Sequence, residues 1–134
     1  LVRRVVQLMG YDKRYRHIVF DQHLDRELPA LRASGDAVQQ VLMQVMSLGC
    51  DAMAATGRPD ARVDVRTAVE GLRFEVTMTF PASIDFNRAE VQRSLLLSRA
   101  IVEPMRGQLA FGQEVGPVSR IKLSLLADVG AEAR

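Results

Sequence analysis

The sequence has no tryptophan, one cysteine, two histidines and only 5% aromatic residues. It contains no apolar run approaching the ~20 residues that a membrane-spanning helix needs. The lone Cys50 excludes an internal disulfide framework and suits a reducing cytoplasm. The nine glycines are scattered and none forms a Gly-x-Gly pair, so no Gly-rich loop of the phosphate-cradling kind is present. No basic-then-apolar leader opens the chain, which starts at Leu1 and reads as a fragment of something longer. What is there is ordinary for one globular domain: 134 residues, 48% apolar and 25% charged. The net charge is only +2, from 16 Arg and two Lys against 16 acidic residues. A pI near 9.1 therefore overstates the basicity. The single basic cluster (Arg3, Arg4, Lys13, Arg14 and Arg16, with Tyr11 and Tyr15) is diluted by Asp12 and Asp21 and reads as a solvated face, not a phosphate-backbone site.

Apolar spacing divides the chain into elements. Val2, Val5, Val6 and Met9 repeat at helical spacing up to Gly10. From His17 to Leu24, Ile18, Phe20 and Leu24 alternate with His17, Val19, Asp21 and His23, as in a half-buried strand closed by Leu28-Pro29. Asp36, with Gln39 three residues on, predicts the cap of a long helix whose Val38, Val41, Leu42, Val45, Met46, Leu48, Gly49, Ala52 and Met53 form one apolar stripe. Gly57-Arg-Pro59 ends it. Ala61, Val63 and Val65, then Leu72, Phe74, Val76, Met78 and Phe80, alternate with polar residues and predict a hairpin. Asn87 predicts the cap of a second helix striped by Val91, Leu95, Ser98 and Val102 and widened by Leu97 and Ile101, up to Pro104. Gly107 to Phe111 and Val118 to Leu125 supply two last strands, before a frayed tail. Each strand has one dry face, and two helices can cover only that face. The prediction is an α/β two-layer sandwich, a mixed sheet with its helices on one face.

Ordinary catalytic groups are missing. His17 and His23 stand about 20 Å apart on an extended strand, too far to share a metal. Cys50 lies near the C-terminal end of a helix, where the dipole opposes a thiolate. Met43, Met46 and Met53 fill a helix core, and neither Ser94 nor Ser98 has a histidine placed for a triad.

The segments in this order resemble the ATP-binding (catalytic) domain of sensor histidine kinases, the Bergerat-type (GHKL) fold. Tyr11 to Leu28 looks like the family's lead-in and first strand. DAVQQVLMQVMSLGCDAM, from Asp36 to Met53, looks like the helix of its Asn box. SRAIVE, from Ser98 to Glu103, with Gly107-Gln-Leu109, looks like the helix and strand after the second glycine box, and Val118 to Leu125 like the closing strand. The resemblance implies that residues 1–10 end a linker helix from an upstream dimerisation region. Residues 11–128 would form the ATPase-like domain and residues 129–134 a tail.

The family's nucleotide motifs are degenerate in this sequence. Leu48 stands where the family's Asn holds magnesium, and Leu offers no oxygen to a hard cation. Gln44 and Asp51 remain on the same helix. Met78-Thr-Phe-Pro-Ala82 falls on the Asp-x-Gly-x-Gly box, so Met78 replaces the adenine-binding Asp, and Phe80 and Ala82 replace glycines. The ATP lid is absent, and Gln92-Arg-Ser94-Leu-Leu96 continues a helix through the phosphate position. The expectation is a degenerate pocket (Leu48, Asp51, Met78, Phe80, Ala82, Ser94) filled by the apolar Leu48, Met78, Phe80, Leu95 and Leu96. It would hold neither ATP nor magnesium and have no catalytic residue. By resemblance, the domain would serve as a docking module in two-component phosphorelay signalling. Its partners would be the upstream dimerisation helices and a response-regulator receiver domain in the cytoplasm, without membrane contact. A second reading is a working kinase domain that holds ATP through Asp51, Asp85 or Arg93. A third, nucleic-acid binding through Arg3 to Arg16, is the weakest.

Overall fold

The computed structural model describes residues 1–24, 35–56 and 62–126. Its elements in chain order are α1 (Val2–Met9), β1 (Val19–His23), α2 (Gly35–Thr56), β2 (Arg62–Glu70), β3 (Arg73–Phe80), α3 (Ala89–Val102), β4 (Gln108–Glu114) and β5 (Val118–Leu126). Single 3-10 turns at Lys13–Tyr15 and Glu103–Met105 follow α1 and α3.

The five strands form one sheet in the order β1-β2-β3-β5-β4. β1 runs parallel to β2, with α2 in the connection between them, and every other pair is antiparallel. The register aligns apolar residues across strands: Val65 opposes Met78, which opposes Ile121, and Val76 opposes Leu123. The period of two turns this row to one face, where Val63, Val65, Phe74, Val76, Met78, Phe80, Ile121, Leu123 and Leu125 are fully buried. α2 covers that face with Val41, Leu42, Val45, Met46 and Cys50. At about 25 cal/mol per Å² removed from water, this layer of aliphatic contact is the main stabilising term.

The other face of the sheet is wet and charged. Arg62 meets Asp21 at 3.2 Å, Arg66 meets Asp64 at 2.8 Å, Lys122 meets Glu75 at 3.1 Å and Arg120 meets Glu114 at 2.8 Å. Exposed pairs of this kind contribute little to stability, so the sheet is held from its dry side. The predicted two-layer sandwich is what the chain forms.

Some local expectations change. α2 begins at Gly35, so Asp36 sits inside the first turn, where its charge favours the helix dipole, and not at the cap. Asn87 caps nothing: its backbone N–H donates to Asp85 Oδ1 at 3.0 Å, and α3 starts two residues later behind Arg88. Leu72 is exposed because it shares the β2–β3 turn with Gly71, whose φ of +60° makes the reversal. Leu97 is also exposed, whereas Ile101 packs against the core. Val2, Val5 and Met9 of α1 are buried in the same core cluster. Leu28-Pro29, Ala61, the stop at Gly57-Arg-Pro59 and the tail from Ala127 lie outside the described residues.

Candidate functional site

Two segments build a cleft on the helical side of the molecule. One wall is the C-terminal half of α2, which contributes Leu48, Asp51, Ala52 and Ala55. The other is the chain from Pro81 to Asp85 that joins β3 to α3, together with Arg88 and Val91. The hollow measures about 580 Å³. That lies within the range of small-molecule pockets, about 300–1,000 Å³.

The segment from Pro81 to Phe86 is a pinned strap. Ile84 donates its backbone N–H to Ser119 Oγ at 2.8 Å, and the Ser119 hydroxyl donates to the Ala82 carbonyl at 2.7 Å. Gln113 Nε2 donates to the Ile84 carbonyl at 2.8 Å. Ala82 and Ile84 are buried as a result. Phe86 stacks on Phe111 with centroids 4.8 Å apart, and the Arg99 guanidinium lies over the Phe111 ring at 4.9 Å.

Beneath the cleft, Phe80 presses against the backbone of α2. A Cβ built on Gly49 would stand 2.1 Å from the Phe80 ring, so only glycine lets this ring approach the helix. Met78 is fully buried one strand turn away. On the far side of α2, the buried Ser98 hydroxyl donates to Gln44 Oε1 at 2.7 Å and ties α2 to α3. α3 runs unbroken through Gln92–Leu96.

At the mouth, Asp51 is already engaged. The buried Tyr15 hydroxyl donates to Asp51 Oδ1, and Arg14 Nη1 stands 3.5 Å from the same oxygen. Arg14 also grips Asp12 through Nε at 3.1 Å and Nη2 at 2.8 Å, which holds the Asp12 carboxyl below its usual range. Burial, and then the hydrogen bond to Asp51, raise the Tyr15 phenol well above ordinary tyrosine. Burial likewise pushes the Cys50 thiol up to about 12, so it stays protonated and is a poor nucleophile.

Of the residues singled out in the sequence, Leu48, Asp51 and Ala82 meet at the cleft, and Asp85 joins them. Met78 and Phe80 lie below it in the core. Ser94 is half-buried on α3 and Arg93 is exposed, and neither lines the hollow. The expectation of a filled cavity is corrected in two respects. Leu96 is 69% exposed and fills nothing, and an open cleft remains above Phe80. Tyr15 and Ser119 are the residues that sequence reasoning missed. Tyr15 was visible only as an aromatic among arginines. His23 Nε2 sits 3.5 Å from Asp64 on the wet face, and no group of three metal-ligating side chains occurs among the described residues. Among the described residues, no helix is long and apolar enough to cross a membrane.

No family model matches the chain, and no curated protein matches it in sequence. Its fold, in contrast, is shared with many solved structures. The nucleotide-free catalytic domain of histidine kinase ThkA superposes with a TM-score of 0.74 at 14% identity, over 94% of this chain and 90% of that one. The mycobacterial sensor histidine kinase MprB gives 0.70 at 16% identity, over 94% and 93%. Full-length ShkA in complex with AMPPNP gives 0.71 at 17% identity, over 95% of this chain but 29% of that one, where the matched domain is one part of a larger kinase. The chain has the fold of the catalytic domain of sensor histidine kinases.

Proposed function

We propose that this domain is a histidine-kinase ATPase-like domain whose nucleotide site has degenerated, and that it acts as a docking module in two-component signalling. The observation that carries the reading is the coupled replacement at the base of the cleft. Phe80 and Met78 occupy the strand where the family resemblance would place glycine and aspartate, and Phe80 is locked against Gly49. The donor set suits magnesium–ATP poorly. Leu48 offers no oxygen, Asp51 is taken up by Tyr15 and Arg14, and Asp85 Oδ1 accepts from the Asn87 amide. The strap is short and tied to Ser119, so it is not a mobile lid, and α3 is continuous where free N–H groups would meet phosphates. In this reading the partners are dimerisation helices of the same chain and a receiver domain, in the cytoplasm, and neither ATP nor magnesium is used. Residues 11–128 form the ATPase-like unit.

The decisive measurement is a thermal-shift titration with magnesium–ATP and with ADP. A ligand at 100 times its Kd would raise stability by about 2.7 kcal/mol. No change of melting temperature is expected up to about millimolar ligand. One specific observation favours the second reading, a working domain with atypical ATP binding: the cleft is open, and Asp51 and Asp85 both face it. Stabilisation that grows and saturates with ATP would establish that reading and end the first.

A further inference from the structure

Apart from Arg14, which meets Asp51, the basic cluster at the start of the chain does not touch the cleft, and most of it stands without an ion pair. Residues 1–17 hold five basic residues and one acidic one, a charge of +4 where the whole chain carries +2; residues 18–134 therefore sum to −2. Beyond residue 17, Arg62, Arg66, Arg88, Arg120 and Lys122 each meet a carboxylate. Arg73 and Arg99 donate to carbonyl oxygens, while Arg93 and Arg106 are single exposed cations with no ion pair among the described residues. Arg3, Arg4, Lys13 and Arg16 form no ion pair among the described residues, and all four are exposed.

Arg3 and Arg4 lie on α1, and Lys13 and Arg16 in and just after the 3-10 turn that follows it. Arg3, Arg4 and Gln7 lie on the side of α1 opposite the buried Val2, Val5 and Met9. The chain then turns tightly, with the Tyr11 N–H donating to the Leu8 carbonyl at 3.2 Å. This brings Tyr11, 72% exposed, beside the end of α1 and just before Lys13 and Arg16. The distance along α1 from Arg4 to this turn is about 10 Å. Arg14 is spent on Asp12 and Asp51, so it braces the segment against α2 and is not offered to a ligand. An exposed tyrosine close in sequence to unpaired arginines supplies the two residue types, Tyr and Arg, that are enriched in protein-interface hot spots.

We infer that Arg3, Arg4, Tyr11, Lys13 and Arg16 form a docking surface for a partner protein that presents clustered carboxylates. The charge complementarity selects an acidic partner. A protein is favoured over nucleic acid because the patch is short, has one stacking ring, and adjoins a remainder of the chain that is net negative and would repel an extended phosphate backbone. The inference rests on the reading of the domain as a docking module, and it names the surface that docks.

The test is fluorescence anisotropy with the whole chain and two labelled probes, a decaglutamate peptide and a ten-base-pair DNA duplex. At about 50 mM salt, charges on this surface act over more than ~10 Å. The peptide is expected to bind, and the double variant Arg4→Glu/Lys13→Glu to weaken it about tenfold or more. Tyr11→Ala should weaken it with no change of charge, and Arg62→Glu on the wet sheet face should leave it unchanged. Melting curves of each variant establish that it folds. The inference is overturned if the peptide does not bind, if Arg62→Glu weakens it as much as the cluster variant, or if the duplex binds more tightly than the peptide. These outcomes are independent of ATP. A saturable ATP response with intact peptide binding would remove the degenerate-site reading alone, and silence to both would remove the surface alone.

Discussion

Gly49 and Phe80 stand in direct steric dependence. Adding one methyl at Gly49 places a carbon 2.1 Å from the ring, and the ring is wedged by the sheet behind it. Gly49→Ala is therefore expected to cost about 1–3 kcal/mol by overpacking. The cost should largely disappear in the Phe80→Leu background, which urea denaturation of the four members of the cycle would measure. Tyr15 supplies a second test. Tyr15→Phe removes the donor to Asp51 and is expected to lower stability by about 1–2 kcal/mol at neutral pH. Both Tyr15 and Cys50 have folded values above their unfolded ones. Their contribution is thus complete below about pH 8.5 and lost as pH rises, first through Cys50 toward about 12 and then through Tyr15. Urea midpoints at a series of alkaline pH values should fall, and they should fall less steeply in Cys50→Ala and in Tyr15→Phe. Midpoints that stay level up to the highest pH would contradict this assignment.

At the scale of elements, the strap and α2 define what the cleft can become. Ser119→Ala removes the acceptor of the Ile84 amide and the donor to the Ala82 carbonyl, both buried, and is expected to cost about 1–3 kcal/mol. Amide exchange at Ile84 should quicken while amides of β3 stay protected. Leu48→Asn restores the residue that the resemblance assigns as a ligand on α2. In the degenerate-site reading it leaves ATP binding undetectable, because Phe80 still bears on Gly49; a calorimetric titration with magnesium–ATP checks this. The elements themselves were largely legible, since period two along Phe74, Val76, Met78 and Phe80 and period 3.6 along Val38 to Met53 are written in neighbouring residues. The errors lie where local pattern competes with a turn or a helix end. Leu72 fits the alternation and yet rides the reversal beside Gly71, and Asn87 resembles a cap but serves the loop. The ties that shape the cleft span the chain. Tyr15 reaches Asp51 across 36 positions, Ser119 reaches Ala82 across 37, and Ser98 reaches Gln44 across 54. No spacing rule encodes contacts of that separation, so the open hollow at the end of α2 was not legible in the sequence.

For the whole molecule, the sheet carries the design. Four of its strands follow one another through antiparallel partners, and β1 alone is delivered from elsewhere, alongside β2, with the whole of α2 intervening. β1 is therefore more than one end of a sheet. It is the cover of the Arg62–Glu70 ladder, meeting it from Val19–Arg62 to His23–Arg66. A chain lacking residues 1–24 would leave that rim of valines and unpaired amides bare, and such a rim is a template for strands of neighbouring molecules. A protein trimmed to begin at α2 loses Val2, Val5, Met9, Tyr15 and Ile18 from the core as well as this strand, and it should self-associate more readily than the whole chain, as sedimentation would measure.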